Sequence, residues 1–290
     1  MLSSRTLERL KTSRFIATTA RPSVGLGERR SREKGIGLEF VDHRPYREGD
    51  DTRHLDARLL ARLDEHYLRQ YSLDKRLPIY VLVDASASMH YGQPDKFAFA
   101  QALAQALAFI GLNGGDQVQI GVYADGRLDW SPNVHGTARL HHLASWIEAR
   151  RPGGGGDFAE ALHLAARHIK AASMLILISD WWTPDPGPQI RALSTRSNEM
   201  LAFHIAAPQE IDPTSLGEGP LDLVDAETGE EVELSIDNDI VARYRAALAE
   251  WHADLGQQFA RARGRYFPLA SDADLDQVCT RQLRTAGVIA

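Results

Sequence analysis

The chain has 290 residues, of which 43% are hydrophobic, 25% charged and 8% aromatic, proportions that are typical of a folded globular protein and exclude a disordered or fibrous one. Its longest apolar stretches, Met174 to Ile178 among them, have the length of a buried strand and are far too short to cross a bilayer. Residues 1–16 lack the apolar core of a signal peptide. The single cysteine, Cys279, excludes an internal disulfide. These features predict a cytoplasmic protein without a membrane span.

The net charge of −6 is distributed unevenly along the chain. Residues 1–80 contain 17 Lys and Arg against 12 Asp and Glu, whereas the remainder contains 16 against 27. A nucleic-acid-binding surface usually shows a concentrated basic stripe with stacking aromatic side chains. Because the basic residues here are interleaved with acids, they are typical of a solvated surface, and we expect no nucleic acid partner.

The first part of the chain divides into a lead-in, residues 1–36, and a segment with short strands, residues 37–77. The lead-in begins with a helix and continues as an Arg-, Gly- and Ser-rich stretch without helical or strand periodicity. The second segment contains two extended runs. The predicted elements are the helix Thr6 to Phe15, the irregular stretch Arg21 to Gly37, and the strands Leu38 to Tyr46 and His66 to Tyr71.

Residues 78–290 alternate between apolar strands and amphipathic helices. This alternation predicts an α/β fold with a mostly parallel sheet and helices on both faces. A hairpin near residues 220–237 interrupts the rhythm, with a turn at Glu227 to Glu230. The predicted strands are 79–83, 118–123, 175–179, 201–205 and 266–269, and the predicted helices are 95–112, 138–150, 158–169, 190–197, 240–263 and 273–285.

The strongest site signal stands directly after the strand 79–83, where Asp84, Ser86 and Ser88 occupy every second position. Side chains that enter a loop in this pattern can converge on one small volume. One carboxylate and two hydroxyls form a hard oxygen set that suits a divalent cation, Mg²⁺ first, with Mn²⁺ and Ca²⁺ as alternatives. Taken alone, the same residues are equally typical of a capped turn.

Two further carboxylates follow other elements that end at the same edge of the sheet. Asp180 comes directly after the strand 175–179, and Asp157 stands between Gly156 and the next predicted helix. Asp157 is also typical of a helix N-cap, a role that is compatible with a metal if a water lies between them. Ligands of parallel sheets bind outside the carboxyl ends of the strands. The predicted metal-binding residues are Asp84, Ser86, Ser88, Asp157 and Asp180.

The pattern from Asp84 to Met89, together with Asp180 after an apolar strand, resembles the metal-ion-dependent adhesion motif of von Willebrand factor A domains. The resemblance implies a von Willebrand factor A-like domain that binds a partner protein in a metal-dependent way and is not an enzyme. That motif usually has a threonine where this chain has Asp157. The extra carboxylate makes the site more anionic, which favours the cation but weakens the attraction for a partner carboxylate.

Upstream, the run RPYREGDDTRHLD from Arg44 to Asp56 is similar to a signature of the bacterial family called domain of unknown function 58. Members of that family are associated with MoxR-type AAA+ ATPases, so the resemblance implies an accessory protein that acts with such an ATPase in the assembly or maturation of another complex. Family members usually carry Trp where this chain has Ala57. The arginines and aspartates of the signature suit either bidentate ion pairs that hold the segment in place or a docking surface.

An enzyme is the alternative interpretation. Asp84 at the end of a strand also resembles the nucleophile of Mg²⁺-dependent phosphohydrolases of the haloacid dehalogenase type. Those enzymes place a general acid two positions further on, where this chain has Ser86, which is a poor proton donor at neutral pH. The sequence therefore favours a binding protein.

The pair Trp181-Trp182 follows Asp180 and predicts a hydrophobic contact patch for the protein partner beside the metal. We expect at least one of the two rings to be exposed. The other interpretation is that one ring packs beneath the neighbouring helix.

Overall fold

The computed structural model of the protein describes residues 4–16, 39–47, 50, 52, 55–63, 65–72, 76–217, 219–226 and 228–290. The chain forms two units, one of Met1–Ala20 with Leu77–Ala290 and one of Arg21–Arg76. The predicted lead-in from Arg21 to Gly37 lies outside the described residues.

The order of the strands and helices agrees with the order that the sequence predicts. The strands are β1 (Glu39–Pro45), β2 (Tyr67–Ser72), β3 (Pro78–Asp84), β4 (Gln117–Ala124), β5 (Arg127–Trp130), β6 (Val134–His135), β7 (Ser173–Ser179), β8 (Ser197–Ala206), β9 (Gly219–Val224), β10 (Glu231–Ile236) and β11 (Gly264–Ala270). The helices are α1 (Ser4–Leu10), α2 (Ala57–Leu63), α3 (Lys96–Asn113), α4 (Leu140–Glu148), α5 (Phe158–His168), α6 (Gly187–Ser194), α7 (Pro208–Ile211), α8 (Asn238–Arg261), α9 (Leu275–Gln277) and α10 (Leu283–Thr285).

The larger unit is built on a sheet with the strand order β11-β8-β7-β3-β4-β5, and β6 pairs with β4. The five strands β11, β8, β7, β3 and β4 run parallel, whereas β5 and β6 are antiparallel additions at the β4 side. Crossover connections between parallel strands are helical here, as the βαβ rule requires. The predicted α/β fold class with a mostly parallel sheet is confirmed.

Both faces of the sheet are covered, which explains the continuous apolar run of β3. Val81 and Val83 belong to one core cluster, together with Leu103 of α3. The alternate residues Tyr80 and Leu82 belong to the cluster on the opposite face, which α5, α6 and α8 complete. All five residues are at most 3% exposed. The predicted helices on both faces are therefore present.

The order of the strands creates a switch point at the carboxyl edge of the sheet. From β3 the chain moves to β4 on one side, and it later returns to β7 on the other side. The helices on either side of such a point diverge, and the crevice between the two strands is the usual ligand site of an open α/β sheet. The ends of β3 and β7 lie at this crevice, where Asp84 is the last residue of β3 and Asp180 follows β7.

The N-terminal helix α1 belongs to the larger unit and not to a separate lead-in. Leu10 is fully buried, and Asn113 Nδ2 at the end of α3 donates to the carbonyl oxygens of Lys11 (2.7 Å) and Ser13 (3.1 Å). Phe15 forms an isolated β-bridge with Ile289. This packing could not be predicted from the sequence, because it depends on single apolar side chains and these residues show only a weak apolar period.

The smaller unit contains the antiparallel pair β1 and β2 and the helix α2. Asp56 of the upstream signature is buried and caps α2, since its Oδ1 accepts from the backbone N of Arg58 (2.9 Å) while its Oδ2 lies 2.9 Å from His43 Nε2. This gives one signature residue a structural role. Ala57, the first residue of α2, is exposed. Of the signature, Glu48, Gly49, Asp51, Arg53 and His54 lie outside the described residues.

Several elements differ from the sequence prediction, among them α1, which ends at Leu10 and not at Phe15. The helix α2 was not predicted, because its seven residues are too few to show a clear period. The predicted last helix, 273–285, is divided into α9, a π-helical turn at Val278–Gln282 and α10. The wider π turn brings the buried side chains of Val278, Cys279 and Leu283 onto one face.

Among the described residues, no helix has both the length and the apolar composition that a membrane crossing requires.

Candidate functional site

Asp84, the last residue of β3, lies at the centre of the carboxyl edge and is only 2% exposed. Its Oδ1 accepts a hydrogen bond from the backbone N of Ser86 (2.9 Å), and its Oδ2 accepts one from Ser179 Oγ (2.6 Å). Ser179 Oγ in turn accepts from the backbone N of Trp181 (2.9 Å). Backbone amides and a serine therefore fix the orientation of the carboxylate. Ser179 ends a predicted strand but was not among the predicted site residues.

Ser86 and Ser88 are joined by a hydrogen bond between their hydroxyls, with 3.0 Å between the two Oγ atoms. Ser86 is 3% exposed, and Ser88 lies in the short 3-10 turn Ala87–Met89 that follows it. Two adjacent ligands of an octahedral Mg²⁺, each about 2.1 Å from the ion, are separated by about 3.0 Å. The hydroxyl pair thus already has the spacing of two neighbouring metal ligands.

The glycine run before Asp157 lies against this turn. Gly153 N donates to Ala85 O (2.9 Å), and Ala87 N donates to Gly154 O (3.0 Å). Gly154 has a left-handed φ of +70°, and a Cβ there would collide with the Asp125 side chain. Only glycine adopts this φ readily and also leaves room for the Asp125 side chain. The run therefore brings the start of α5 to the same edge as Asp84.

Asp157 caps α5, as the sequence predicts, because its Oδ1 accepts from the backbone N of Ala159 (2.8 Å). The same oxygen accepts a hydrogen bond from Thr183 Oγ1. Asp157 is exposed, whereas Thr183 is buried. A threonine hydroxyl is thus present beside the site, supplied by the loop after β7 and not by position 157.

Asp180 forms a buried ion pair that the sequence analysis missed. Lys96 Nζ lies 2.8 Å from Asp180 Oδ2 and 2.6 Å from Glu210 Oε1, and the lysine side chain has no exposed surface. Lys96 is the first residue of α3, and Glu210 belongs to α7 after β8. Neither residue is adjacent in sequence to a predicted ligand, so no spacing pattern could reveal them. The negative charge of Asp180 is therefore compensated by the positive charge of Lys96.

The charges of this cluster shift two pKa values. Burial, followed by the negative charge of Asp180, raises the pKa of Asp84 to about 7, against the opposing hydrogen bonds from Ser179 and Ser86. For Lys96, burial acts to lower the pKa, but the charges of Asp180 and Glu210 outweigh it and the pKa is raised. Lys96 is therefore a permanent cation, and Asp84 is the carboxylate that still lacks a positive partner.

The donor set can be compared directly with the needs of a metal ion. Among the described residues, no group of three or more His, Cys, Asp and Glu side chains is placed to hold a metal. The set here differs from such groups because two of its members are hydroxyls and Asp180 is paired with Lys96. One carboxylate with two hydroxyls at cis-octahedral spacing suits a hard divalent cation that keeps several waters. The residues present fit such an ion with few direct protein ligands.

The two tryptophans after Asp180 have different environments. Trp181 is fully buried with a left-handed φ of +58°, and its ring makes edge contacts with Phe158 and Phe259. The prediction that Trp181 contributes to a partner-binding surface is therefore wrong, because burial in the core outweighs its position beside the site. Trp182 is 52% exposed and stacks on Trp251 of α8, with 4.5 Å between ring centroids. The expectation of one exposed ring is confirmed.

Replacement of Lys96 by methionine should destabilise the protein in the absence of divalent cations. The change leaves Asp180 and Glu210 without their shared cation, and an uncompensated buried charge costs about 3–5 kcal/mol. Urea unfolding of the Lys96→Met variant in EDTA measures this loss. Lys170→Met, which removes an exposed lysine, is the matched control and should change the free energy of unfolding by less than about 0.5 kcal/mol. Equal effects of the two substitutions would contradict the assignment.

Stability in EDTA should depend on the ionisation of Asp84. Its folded pKa of about 7 lies above the ordinary value of 3.8, so its contribution to stability is present at low pH and is lost as the pH rises from about 4 to 7. The Asp84→Asn variant lacks this loss. Its free energy of unfolding relative to wild type should therefore rise by a few kcal/mol over this range and then level off. Parallel pH profiles for the two proteins would show that Asp84 titrates normally.

Comparison with known proteins places the chain in a family. An uncharacterized protein of Mycobacterium tuberculosis is 28% identical over 246 residues, which cover 83% of this chain and 77% of the relative. The fold is similar to that of an aerotolerance-related membrane protein from Bacteroides fragilis (15% identity, TM-score 0.45, covering 73% of this chain and 98% of that one). It is also similar to the VWA domain of SpRpn10 (9% identity, TM-score 0.42, covering 71% and 95%). A family model matches residues 42–254, more than half of the chain, and the chain therefore belongs to the family described as "Protein of unknown function DUF58".

Proposed function

We propose that the protein binds a divalent cation at the carboxyl edge of β3 and uses this site to bind a partner protein without catalysing a reaction. The contact between the Ser86 and Ser88 hydroxyls beside the buried carboxyl of Asp84 is the observation that carries the proposal. The spacing and hardness of these oxygens suit Mg²⁺ first, and Mn²⁺ or Ca²⁺ in its place.

The ligands take unequal roles in this proposal. Ser86 and Ser88 contact the cation through their hydroxyls, and Asp84 supplies the negative charge that attracts it. Asp180 and Asp157 act through waters, because one is held by Lys96 and the other caps α5. When bound, the cation supplies coordination positions that oxygen atoms of a partner can take over from water.

The partner surface extends from the cation site to Trp182. The backbone N of Trp182 lies 3.4 Å from Asp180 Oδ1, so the backbone of Trp182 lies directly beside the site. An open cleft of about 350 Å³ lies here. Among its lining residues, Trp182 offers exposed apolar surface to a partner, whereas Trp181 is fully buried and does not. Half-exposed aromatic rings at the centre of a contact contribute strongly to association. The resemblance to the family supports a MoxR-type AAA+ ATPase as the partner.

A phosphohydrolase that uses Asp84 as its nucleophile is less well supported. Both carboxyl oxygens of Asp84 accept hydrogen bonds, and the side chain is almost completely buried. An attacking carboxylate needs an oxygen that is free to approach a phosphorus atom. Hydrolysis of a phosphate ester in the presence of Mg²⁺, abolished by Asp84→Asn, would overturn the binding proposal.

Manganese should bind the purified protein with one ion per chain, and the Ser86→Ala/Ser88→Ala variant should bind it at least about tenfold more weakly. The reason is the loss of two direct ligands at the only hydroxyl pair of the proposed site. Electron paramagnetic resonance of free Mn²⁺ measures the bound fraction. Ser145→Ala, which changes an exposed serine of α4, should bind like wild type. Unchanged affinity in the double variant would remove the hydroxyl pair from the site.

Capture of a MoxR-type ATPase should require the cation. Immobilised wild-type protein should retain the purified ATPase in Mg²⁺ and lose most of it in EDTA. The Ser86→Ala/Ser88→Ala variant should fail in both buffers, and Trp182→Ala should weaken capture about tenfold with metal binding intact. Capture that is indifferent to EDTA and to the double substitution would exclude a metal-dependent contact, whatever the result of the manganese titration.

A further inference from the structure

The strands β9 and β10 form a two-stranded sheet of their own. They pair with each other from Gly219 opposite Ile236 to Val224 opposite Glu231, and neither pairs with another strand among the described residues. The turn is held by hydrogen bonds from Asp225 N to Glu230 O (2.9 Å) and from Thr228 N to Asp225 Oδ1 (2.7 Å). The hairpin is thus a defined element apart from the cation site, and its function is independent of the function proposed above.

One face of the hairpin is apolar. In an antiparallel pair, residues opposite each other share a face, and successive residues alternate between faces. Leu223 stands opposite Val232, and Leu221 stands opposite Leu234, so these four side chains lie on one face. Leu223 is 43% exposed and Val232 is 57% exposed. The outer half of the apolar face is therefore in contact with water.

The other face carries acidic side chains beside the exposed Val224, and its charges are not balanced within the hairpin. Residues 219–236 contain six Asp and Glu and no Lys, Arg or His. Asp222 stands directly opposite Glu233, and Glu231 is the next acid on the same face. Like charges in facing positions destabilise a sheet. Within the described part of the chain, none of these three carboxylates forms an ion pair.

We propose that the hairpin β9–β10 is a docking element for a basic protein, one that presents an apolar surface bordered by lysines and arginines. Burial of Leu223 and Val232 removes apolar area from water. Long basic side chains at the border reach the carboxylates of Asp222 and Glu233 while their stems cover apolar surface. Both features that cost free energy in the isolated hairpin, exposed apolar side chains and facing like charges, are relieved by the same partner.

The charge distinguishes this partner from other occupants. Nucleic acids and anionic membranes carry negative charge and are repelled by six carboxylates without a cation among them. A second copy of the hairpin brings the same acidic face and is repelled equally. A basic protein surface is attracted over about 10 Å at moderate salt, which also accelerates its association.

A short helical peptide of leucines and lysines, with the leucines along one face, is a direct probe of this chemistry. Its binding to the full-length protein can be measured by fluorescence anisotropy at two salt concentrations. Leu223→Ser/Val232→Thr removes the exposed apolar pair, and Asp222→Asn/Glu233→Gln removes the facing charges. Glu250→Gln/Asp272→Asn is the matched control, because it removes two exposed carboxylates elsewhere.

Each hairpin variant should bind the peptide at least about tenfold more weakly than wild type, and the control within about twofold. An otherwise identical peptide with glutamates in place of lysines should not bind. Thermal unfolding should be unchanged by Leu223→Ser/Val232→Thr and not lowered by Asp222→Asn/Glu233→Gln, which relieves repulsion.

Three results would overturn the proposal. The first is peptide binding that the control weakens as much as the hairpin variants, since this indicates attraction to net charge alone. The second is binding of the wild-type protein to anionic vesicles that the hairpin substitutions abolish. The third is a concentration-dependent dimer in sedimentation that Leu223→Ser/Val232→Thr dissociates, which would assign the apolar face to a second copy of the chain.

Discussion

A buried ammonium group, Lys96 Nζ, connects three parts of the α/β unit. It reaches from the first residue of α3 to Asp180 after β7 and to Glu210 in α7. The carboxyl ends of parallel strands all lie at this edge of the sheet, so the carboxylates that follow them lie close together. Burying such groups without a cation is strongly unfavourable. The ion pairs therefore fix the positions of α3 and α7 relative to the sheet, and the rest of the site is arranged around them.

Compensation by Lys96 is incomplete, and this has a chemical consequence. Lys96 contacts Asp180 and Glu210, whereas Asp84 is held only by hydrogen bonds from uncharged groups. Burial, followed by the negative charge of Asp180, raises the pKa of Asp84 to about 7. In the proposed function, a divalent cation bound beside Ser86 and Ser88 would supply the missing positive charge. Asp180 is already paired with Lys96 and would therefore contact that cation through water.

Much of the fold could be predicted from the sequence, because β3 and β7 are continuous apolar runs and the helices between strands have a clear period. The edge position of Asp84 and Asp180 followed from the same alternation. Lys96 and Glu210 could not be predicted, since a lysine at the start of a helix ordinarily lies in solvent and only the tertiary fold brings it to Asp180. Burial of Trp181 also depends on tertiary contacts, here with Phe158 and Phe259. The family signature around Asp56 was informative about membership, but its local role as a helix cap required coordinates.

The central claim, a cation held by the Ser86 and Ser88 hydroxyls while Lys96 keeps Asp180, can be tested by anomalous diffraction from crystals grown with Mn²⁺. We expect one anomalous peak about 2.2 Å from both hydroxyl oxygens, with Lys96 Nζ still bonded to Asp180. A saturated crystal without a peak at this edge would contradict the proposed cation site. So would a peak bonded directly to Asp180 with Lys96 displaced.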